Sequence, residues 1–377
     1  MRGVIVHAAL LFVMLIYGYQ TWTRDKGVKP TAGEVVMWNR SEGDLKTIEF
    51  ATADRTLRLE RRGDGAAAYW WGVESRTTKK LKPKDPPPPP ADPAAPPPPP
   101  EAPEYVDETT TREFPIGEPG EKLVKDLARM RAIKSLGVVK DEGKQAYELV
   151  DTSKTITVMT KDGGKTLVLG GRVYGGSDRY VLDVDSGKAF VVLGSLITPL
   201  EGGEGALRPT DIRGFDAKAA MAVEIAAGGK TKVVNRIKVK KPDDDKAAPN
   251  PHAPAADDEI ETWGTGQTAD TAAANFIDKV EKLRPSSFEA KLDPKTLGEV
   301  VKLTYRDGRG QVLGTFQVLK QEKPGEPPPV VDPTKPPEPP APTVEYYVLT
   351  ERTRVPAPVP KVAAERIVPD ITTIFPN

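Results

Sequence analysis

The chain has 377 residues, and its 54 basic and 54 acidic side chains cancel to a formal net charge of zero, so no overall field draws it toward nucleic acid or an anionic surface. It contains no cysteine, which excludes disulfides, thiolate metal ligands and thiol nucleophiles together. Its 2 histidines, His7 and His252, fall in an apolar run and a proline-rich stretch, where neither is placed as a catalytic base or an ordered metal ligand.

Residues 3–22, GVIVHAALLFVMLIYGYQTW, are the one long apolar run, about the 20 residues that a helix needs to cross the hydrocarbon core. Tyr17, Tyr19 and Trp22 stand near its far end, where amphipathic rings favour the headgroup layer. The exit YGYQTWTRDK lacks the small residues of a cleavage site, so residues 1–24 are expected to stay as a transmembrane anchor. Arg2 on one side faces Arg24, Lys26 and Lys29, offset by Asp25, on the other, and the positive-inside rule alone does not orient the span. Export of an apolar run behind one positive charge places the body in a bacterial periplasm, on a single-pass inner-membrane protein. His7 then snorkels or meets a partner helix rather than forming a site.

The 39 prolines far exceed the usual share of about 5%, and they cluster at residues 82–103, 241–258 and 323–342. Proline removes a donor and fixes φ, so these segments are expected as polyproline-II insertions. A docking ligand for a proline-reading groove is one use. A tolerated surface insertion is the simpler one, because closure entropy grows slowly with length.

Between the insertions the elements fall in the same order twice. In the first pass Leu45 to Arg61 alternates as a hairpin, and AAAYWWGVE is an aromatic strand. Glu121 to Leu136 puts Leu123, Leu127, Met130 and Leu136 on one helical stripe, with Gly137 as C-cap. Strands are predicted at Thr155–Thr160, Lys165–Leu169 and in the hairpin DRYVLDVDSGKAFVVL, with a short helix near Leu196–Leu200. In the second pass Ala222 to Arg236 is a hairpin, Glu259 to Gly264 an aromatic strand and Thr271 to Leu283 a helix. Strands follow at Glu299–Tyr305, Gln311–Leu319 and Val344–Thr350. The shared order reads hairpin, aromatic strand, proline-rich insertion, helix, strands. Val35 to Trp38 adds a leading strand to the first unit. A short helix at Val362–Ile367 and a docked tail carrying Ile371, Ile374 and Phe375 close the chain. The expected class is α+β: an anchor, then two duplicated, mainly antiparallel sheet-plus-helix units at 33–205 and 206–377.

The stretch TITVMTKDGGKTLVLGGRVYGGSDRYVLDVDSGKAFVVLGSLITPL, with Leu167 to Gly170, Tyr180 to Leu182 and Phe190 to Leu193 as its key pieces, resembles the membrane-anchored family known as domain of unknown function 4340. LRPTDIRGFD matches that family's link into its second half, and the likeness runs from about Leu45 onward, with the proline insertions as additions. The resemblance implies an accessory role in the cell envelope, because members tend to be encoded beside ABC-type exporters of the gliding-motility kind. It implies no chemistry.

Motifs of chemistry fail on spacing. GGKT at Gly163–Thr166 and Gly228–Thr231 lacks the earlier glycine of a phosphate loop, with Met159 and Glu224 in its place, so both are expected as hairpin turns. Asp183, Asp185 and Gly187 lack the downstream acid of a calcium loop. Ser153–Lys154 and Ser186–Lys188 sit in turns, where a lysine is not desolvated into a base. No catalytic residue, cofactor or metal ligand is nominated, and the chain is expected not to be an enzyme. Tyr69, Trp70, Trp71, Trp263, Tyr346 and Tyr347, placed at equivalent points of the two units, are the candidate partner or glycan contacts, with burial in the core as the simpler reading. The expected function is a non-enzymatic periplasmic scaffold, held to the inner membrane through residues 3–22 and associated with an ABC-type export or gliding-motility complex. A cell-wall or polysaccharide-binding module is the alternative, and a carboxylate-only hydrolase ranks third.

Overall fold

The computed structural model of the chain describes Met14 and residues 34–82, 104–240, 259–288, 292–325 and 342–376. The expected anchor, Met14 apart, and the bodies of the three proline-rich segments lie outside these residues. No helix among the described residues is long and apolar enough to cross a membrane.

The first half contains β1 (Val35–Val36), β2 (Leu45–Ala51), β3 (Arg55–Arg62), β4 (Tyr69–Leu81), β5 (Tyr105–Pro115) and helix α1 (Glu118–Ala128). Then come β6 (Arg131–Ala132), β7 (Lys134–Val138), α2 (Asp141–Ala146), β8 (Thr155–Thr160), β9 (Gly163–Arg172), β10 (Arg179–Asp183), β11 (Lys188–Val192), α3 (Gly194–Gly202) and α4 (Glu204–Leu207). The second half contains β12 (Ala222–Ala227), β13 (Lys230–Lys240), β14 (Glu259–Thr265), β15 (Thr268–Ala269) and α5 (Thr271–Glu281). It ends with β16 (Gly298–Arg306), β17 (Val312–Lys323), β18 (Thr343–Thr350), β19 (Ala357–Val359), α6 (Lys361–Glu365) and α7 (Val368–Ile374).

The strands form a 9-stranded sheet ordered β5-β4-β3-β2-β8-β9-β10-β11-β7, an 8-stranded sheet ordered β15-β14-β13-β12-β16-β17-β18-β19, and a small β1-β6 pair. Every pairing is antiparallel, which makes the class α+β. The two large sheets share a plan. Four successive strands lie to one side and four later ones to the other, with β7 added at the far edge of the first sheet, and a helix intervenes in sequence before the later set returns beside the first strand.

Local chemistry explains the elements. In β2 and β3 the alternating Ile48, Phe50, Leu57 and Leu59 are buried, one face of each strand against the core. The Gly228–Gly229 turn of the β12–β13 hairpin has φ of 55° and 78° at its glycines, the positive values that a two-residue hairpin demands. Asp183 accepts bonds from Ser186 Oγ at 2.7 Å and the Asp185 amide at 3.1 Å, and Asp185 pairs with Lys165 at 2.7 Å, so this triplet serves a hairpin. In the stretch LVLGG, a Cβ at Gly170 would overlap the Tyr147 carbonyl and Leu149. The glycine lets residues 147–149 lie directly on the sheet, where Tyr147 stacks on Tyr180 with ring centroids 4.5 Å apart.

Two expectations are corrected and a third is trimmed. The helix expected to run to Leu136 ends at Ala128: Leu123, Val124 and Leu127 are buried on its face, but Arg131–Ala132 pair with β1 and Lys134–Val138 with β11. Strand pairing satisfies those backbone groups, and Gly137, at φ 74°, sits beside a bulge of β7 rather than at a helix cap. The leading strand of the first unit is present but shorter than Val35–Trp38: only Val35–Val36 pair, with β6 in the small sheet. The proline insertions also differ in place. The first lies between β4 and β5, whereas residues 241–258 lie between β13 and β14, ahead of the aromatic strand.

One apolar cluster runs through both halves, including Leu207 and Ile212 of the connecting segment. Buried charge pins helices α3 and α4 on the first sheet. Glu74, 4% exposed, accepts the Glu204 amide at 2.6 Å and faces Arg55 at 3.7 Å. Arg55 in turn donates to the Leu200 and Glu201 carbonyls at the end of α3, which favours a cation there.

Candidate functional site

The six candidate aromatics do not form one surface. Trp70, Trp71, Tyr346 and Tyr347 are buried, whereas Tyr69 and Trp263 are half-buried. Trp71 donates Nε1 to Glu113 at 3.1 Å, with the Arg62 guanidinium 5.1 Å from its ring centroid. Trp263 has the same kind of cover, Arg236 at 5.1 Å. Tyr347 donates its hydroxyl to Glu345 at 2.6 Å; burial first, and then the Glu345 carboxylate, push that phenol up to about 12. Trp71–Gly72 and Trp263–Gly264 occupy equivalent places, each on the third strand in chain order of its large sheet. Tyr346 and Tyr347 do not, because β18 corresponds in sheet order to β10, whose aromatic is Tyr180.

Tyr69 and Trp70 border a cleft of about 260 Å³ at the junction of the two halves. Pro115, Ile116 and Glu121 line it from the first half, and Gly214, Glu351, Arg352 and Arg354 from the second. A buried turn builds the second wall. Thr353 is fully buried and Thr350 nearly so; Thr350 N–H donates to Thr353 Oγ1 at 2.9 Å, Thr353 N–H to Thr350 Oγ1 at 3.1 Å, and Thr350 Oγ1 donates to the Ile212 carbonyl at 2.5 Å. Side-chain hydroxyls here replace ladder partners that the strand has lost.

The turn points two arginines into the cleft. Arg352 donates to the Ile116 carbonyl at 3.1 Å and to Glu121 at 2.8 Å, tying the halves together. Arg354 takes a φ of 56°, uncommon for a residue with a Cβ, and lies 3.9 Å from the centroid of the Tyr69 ring. Such a guanidinium, stacked and exposed, can present N–H donors to an anionic or hydroxyl-rich group. Glu351 accepts the Thr315 amide at 2.8 Å, so its charge is partly engaged.

A second polar cluster fastens the connecting segment. Arg213 binds Asp211 at 2.7 Å and Glu281 at 2.9 Å, and Tyr305 donates to the other Glu281 oxygen at 2.8 Å. Phe215 packs on the Tyr305 ring at 4.9 Å. These contacts give LRPTDIRGFD a structural meaning, as the clasp of the second sheet. Sequence reasoning missed Arg352, Arg354, Thr353 and Glu121; the one available signal was TERTR, a charged run directly after a strongly apolar strand.

No protein-family model, curated protein or solved structure matches the chain.

Proposed function

We propose that this chain is a non-enzymatic scaffold of the bacterial envelope, held to the inner membrane through residues 3–22, with two duplicated units that make contacts in the periplasm. The observation that carries the reading is the placement of the proline-rich segments. Each joins two strands that outrun their sheet: β4–β5 continues to Leu81↔Tyr105 although β3 stops pairing at Arg76. β13–β14 continues to Lys240↔Glu259 past β12, and β17–β18 to Lys323↔Thr343 past β16. A body with three projecting ribbons, each leading into a proline-rich stretch of sequence, suits reaching and bracing better than enclosing a substrate. The shared strand plan supports duplication, and the resemblance noted above points to an ABC-type export or gliding-motility complex as the partner.

The test is purification from membranes in mild detergent. The full chain is expected to resist carbonate extraction, to become soluble when residues 1–24 are deleted, and to bring transporter or motility subunits with it. A chain that extracts as a soluble protein and co-purifies with no such subunit overturns the reading. A polysaccharide-binding role has one observation in its favour, the Tyr69–Arg354 stack in the junction cleft. Glycan pulldown that is unaffected by Tyr69→Ala and Arg354→Ala removes it.

A further inference from the structure

The two large sheets expose four edge strands among the described residues, and three are blunted. β15 has two residues and leaves only the short stretch of residues 259–262 of β14 uncovered, β19 has three with Pro358 in the middle, and β7 breaks register against β11 beside Gly137. The fourth, β5, pairs with β4 over 11 residues without a register shift, and residues 104–112 are all exposed. A long, regular, unprotected edge offers a row of free backbone donors and acceptors, which folded proteins otherwise avoid.

The direction of those groups follows from the pairing. Lys82 N–H donates to the Glu104 carbonyl at 2.9 Å, so even-numbered residues of β5 bond to β4 and the backbones of Asp107, Thr109, Thr111 and Glu113 face outward. The sequence is self-complementary in one antiparallel register. With Thr110 on a two-fold axis, Thr109 exchanges backbone bonds with the second copy's Thr111, and Glu108 stands opposite the second copy's Arg112 twice. Arg112 is 69% exposed and reaches Glu204 only at 3.9 Å, so its charge is available, and the second copy's Arg112 would share the Glu108 carboxylate with Lys80 of β4. The same register sets Asp107 against the second copy's Glu113, but Glu113 already accepts from Arg62 at 3.0 Å and from Trp71.

We propose that β5 is a homodimerisation edge, where two copies of the chain pair in antiparallel fashion about Thr110 and join two 9-stranded sheets into one. The occupant is a second copy because the charge pattern of β5 complements itself. The pairing rests on this edge alone, so its failure leaves the scaffold reading standing.

The chain has no cysteine, so a single introduced thiol reports the register. In the full chain in detergent, Thr110→Cys is expected to form a disulfide-linked dimer at least about tenfold faster than Thr78→Cys, because facing non-hydrogen-bonded positions bring Cβ atoms to about 4.5–5.5 Å. Thr111→Pro deletes an outward donor and keeps the backbone bonds to β4, losing only the hydroxyl bond to Ser75 at 2.8 Å, and it is expected to yield monomers by light scattering with an unchanged circular dichroism spectrum. Glu108→Arg and Arg112→Glu should each weaken the dimer, and the double variant should restore it. A monomeric wild-type chain, equal cross-linking of T110C and T78C, or a dimer indifferent to T111P and E108R overturns the proposal.

Discussion

Tyr305 carries its hydroxyl into the core, 1% exposed, against the carboxylate of Glu281. Burial first, and then the charge of Glu281, raise its phenol well above the ordinary value of 10.0. The fold therefore favours the neutral phenol: that contribution is complete below the unfolded value and is lost as pH rises toward the folded one. Tyr305→Phe should flatten the alkaline loss of stability and cost about 1 kcal/mol at neutral pH, read by urea denaturation across pH. Asp211 behaves in the opposite sense. Burial raises it, but hydrogen bonds from Arg213 outweigh that and hold it below its ordinary 3.8. Its contribution is present above the unfolded value and disappears as pH falls through the folded one, so Asp211→Asn should shrink the acid-induced drop in melting temperature. Gly72 is a residue whose missing side chain matters, because a Cβ there would enter the Phe114 ring. Gly72→Ala is expected to cost about 1–3 kcal/mol by the same denaturation measurement, as overpacking does elsewhere.

Elements obey local chemistry until a distant partner offers their backbone something better. The stripe Leu123, Leu127, Met130 continues past Ala128 at helical spacing, yet the Met130 carbonyl accepts the Met37 amide at 3.0 Å and the chain opens into two short strands. Nothing in residues 121–136 signals that Val35 and β11 will supply those partners. The hairpins were legible because their turn residues and alternation lie within a dozen positions of each other. The Thr350–Thr353 turn was not, since its burial depends on Ile212. Replacing Thr353 by Val keeps the shape and removes the hydroxyl that the Thr350 amide uses; the expected cost is about 1–3 kcal/mol in urea titrations. The ribbons lead to a different expectation. Exchanging residues 83–103 for Asn-Gly should leave the melting temperature nearly unchanged, because the strand ends already meet at Lys82 and Glu104 and a shorter loop costs less entropy to close.

At the scale of the whole molecule, the two sheets share one apolar cluster and are tied by polar contacts. Arg352 binds Ile116 and Glu121 across the junction, and Arg208 of the connecting segment donates to the Pro285 carbonyl at 2.9 Å. Arg352→Ala should weaken this coupling, and calorimetry should show a single unfolding transition broadening or splitting into two. The sequence by itself determined the balanced charge, the exclusion of thiol chemistry, most strand positions and the turns, because each depends on composition or on neighbours a few residues apart. It also marked Tyr69 through Trp71 as worth attention, but could not separate the half-buried Tyr69 from its buried neighbours. Only the tertiary structure decided which strands lie side by side, where α1 stops, that Arg354 covers Tyr69 in a cleft, and that β5 is an edge with no further strand beside it among the described residues. Those outcomes arise from contacts between residues far apart in sequence, where the free energy of pairing and burial overrides local preference.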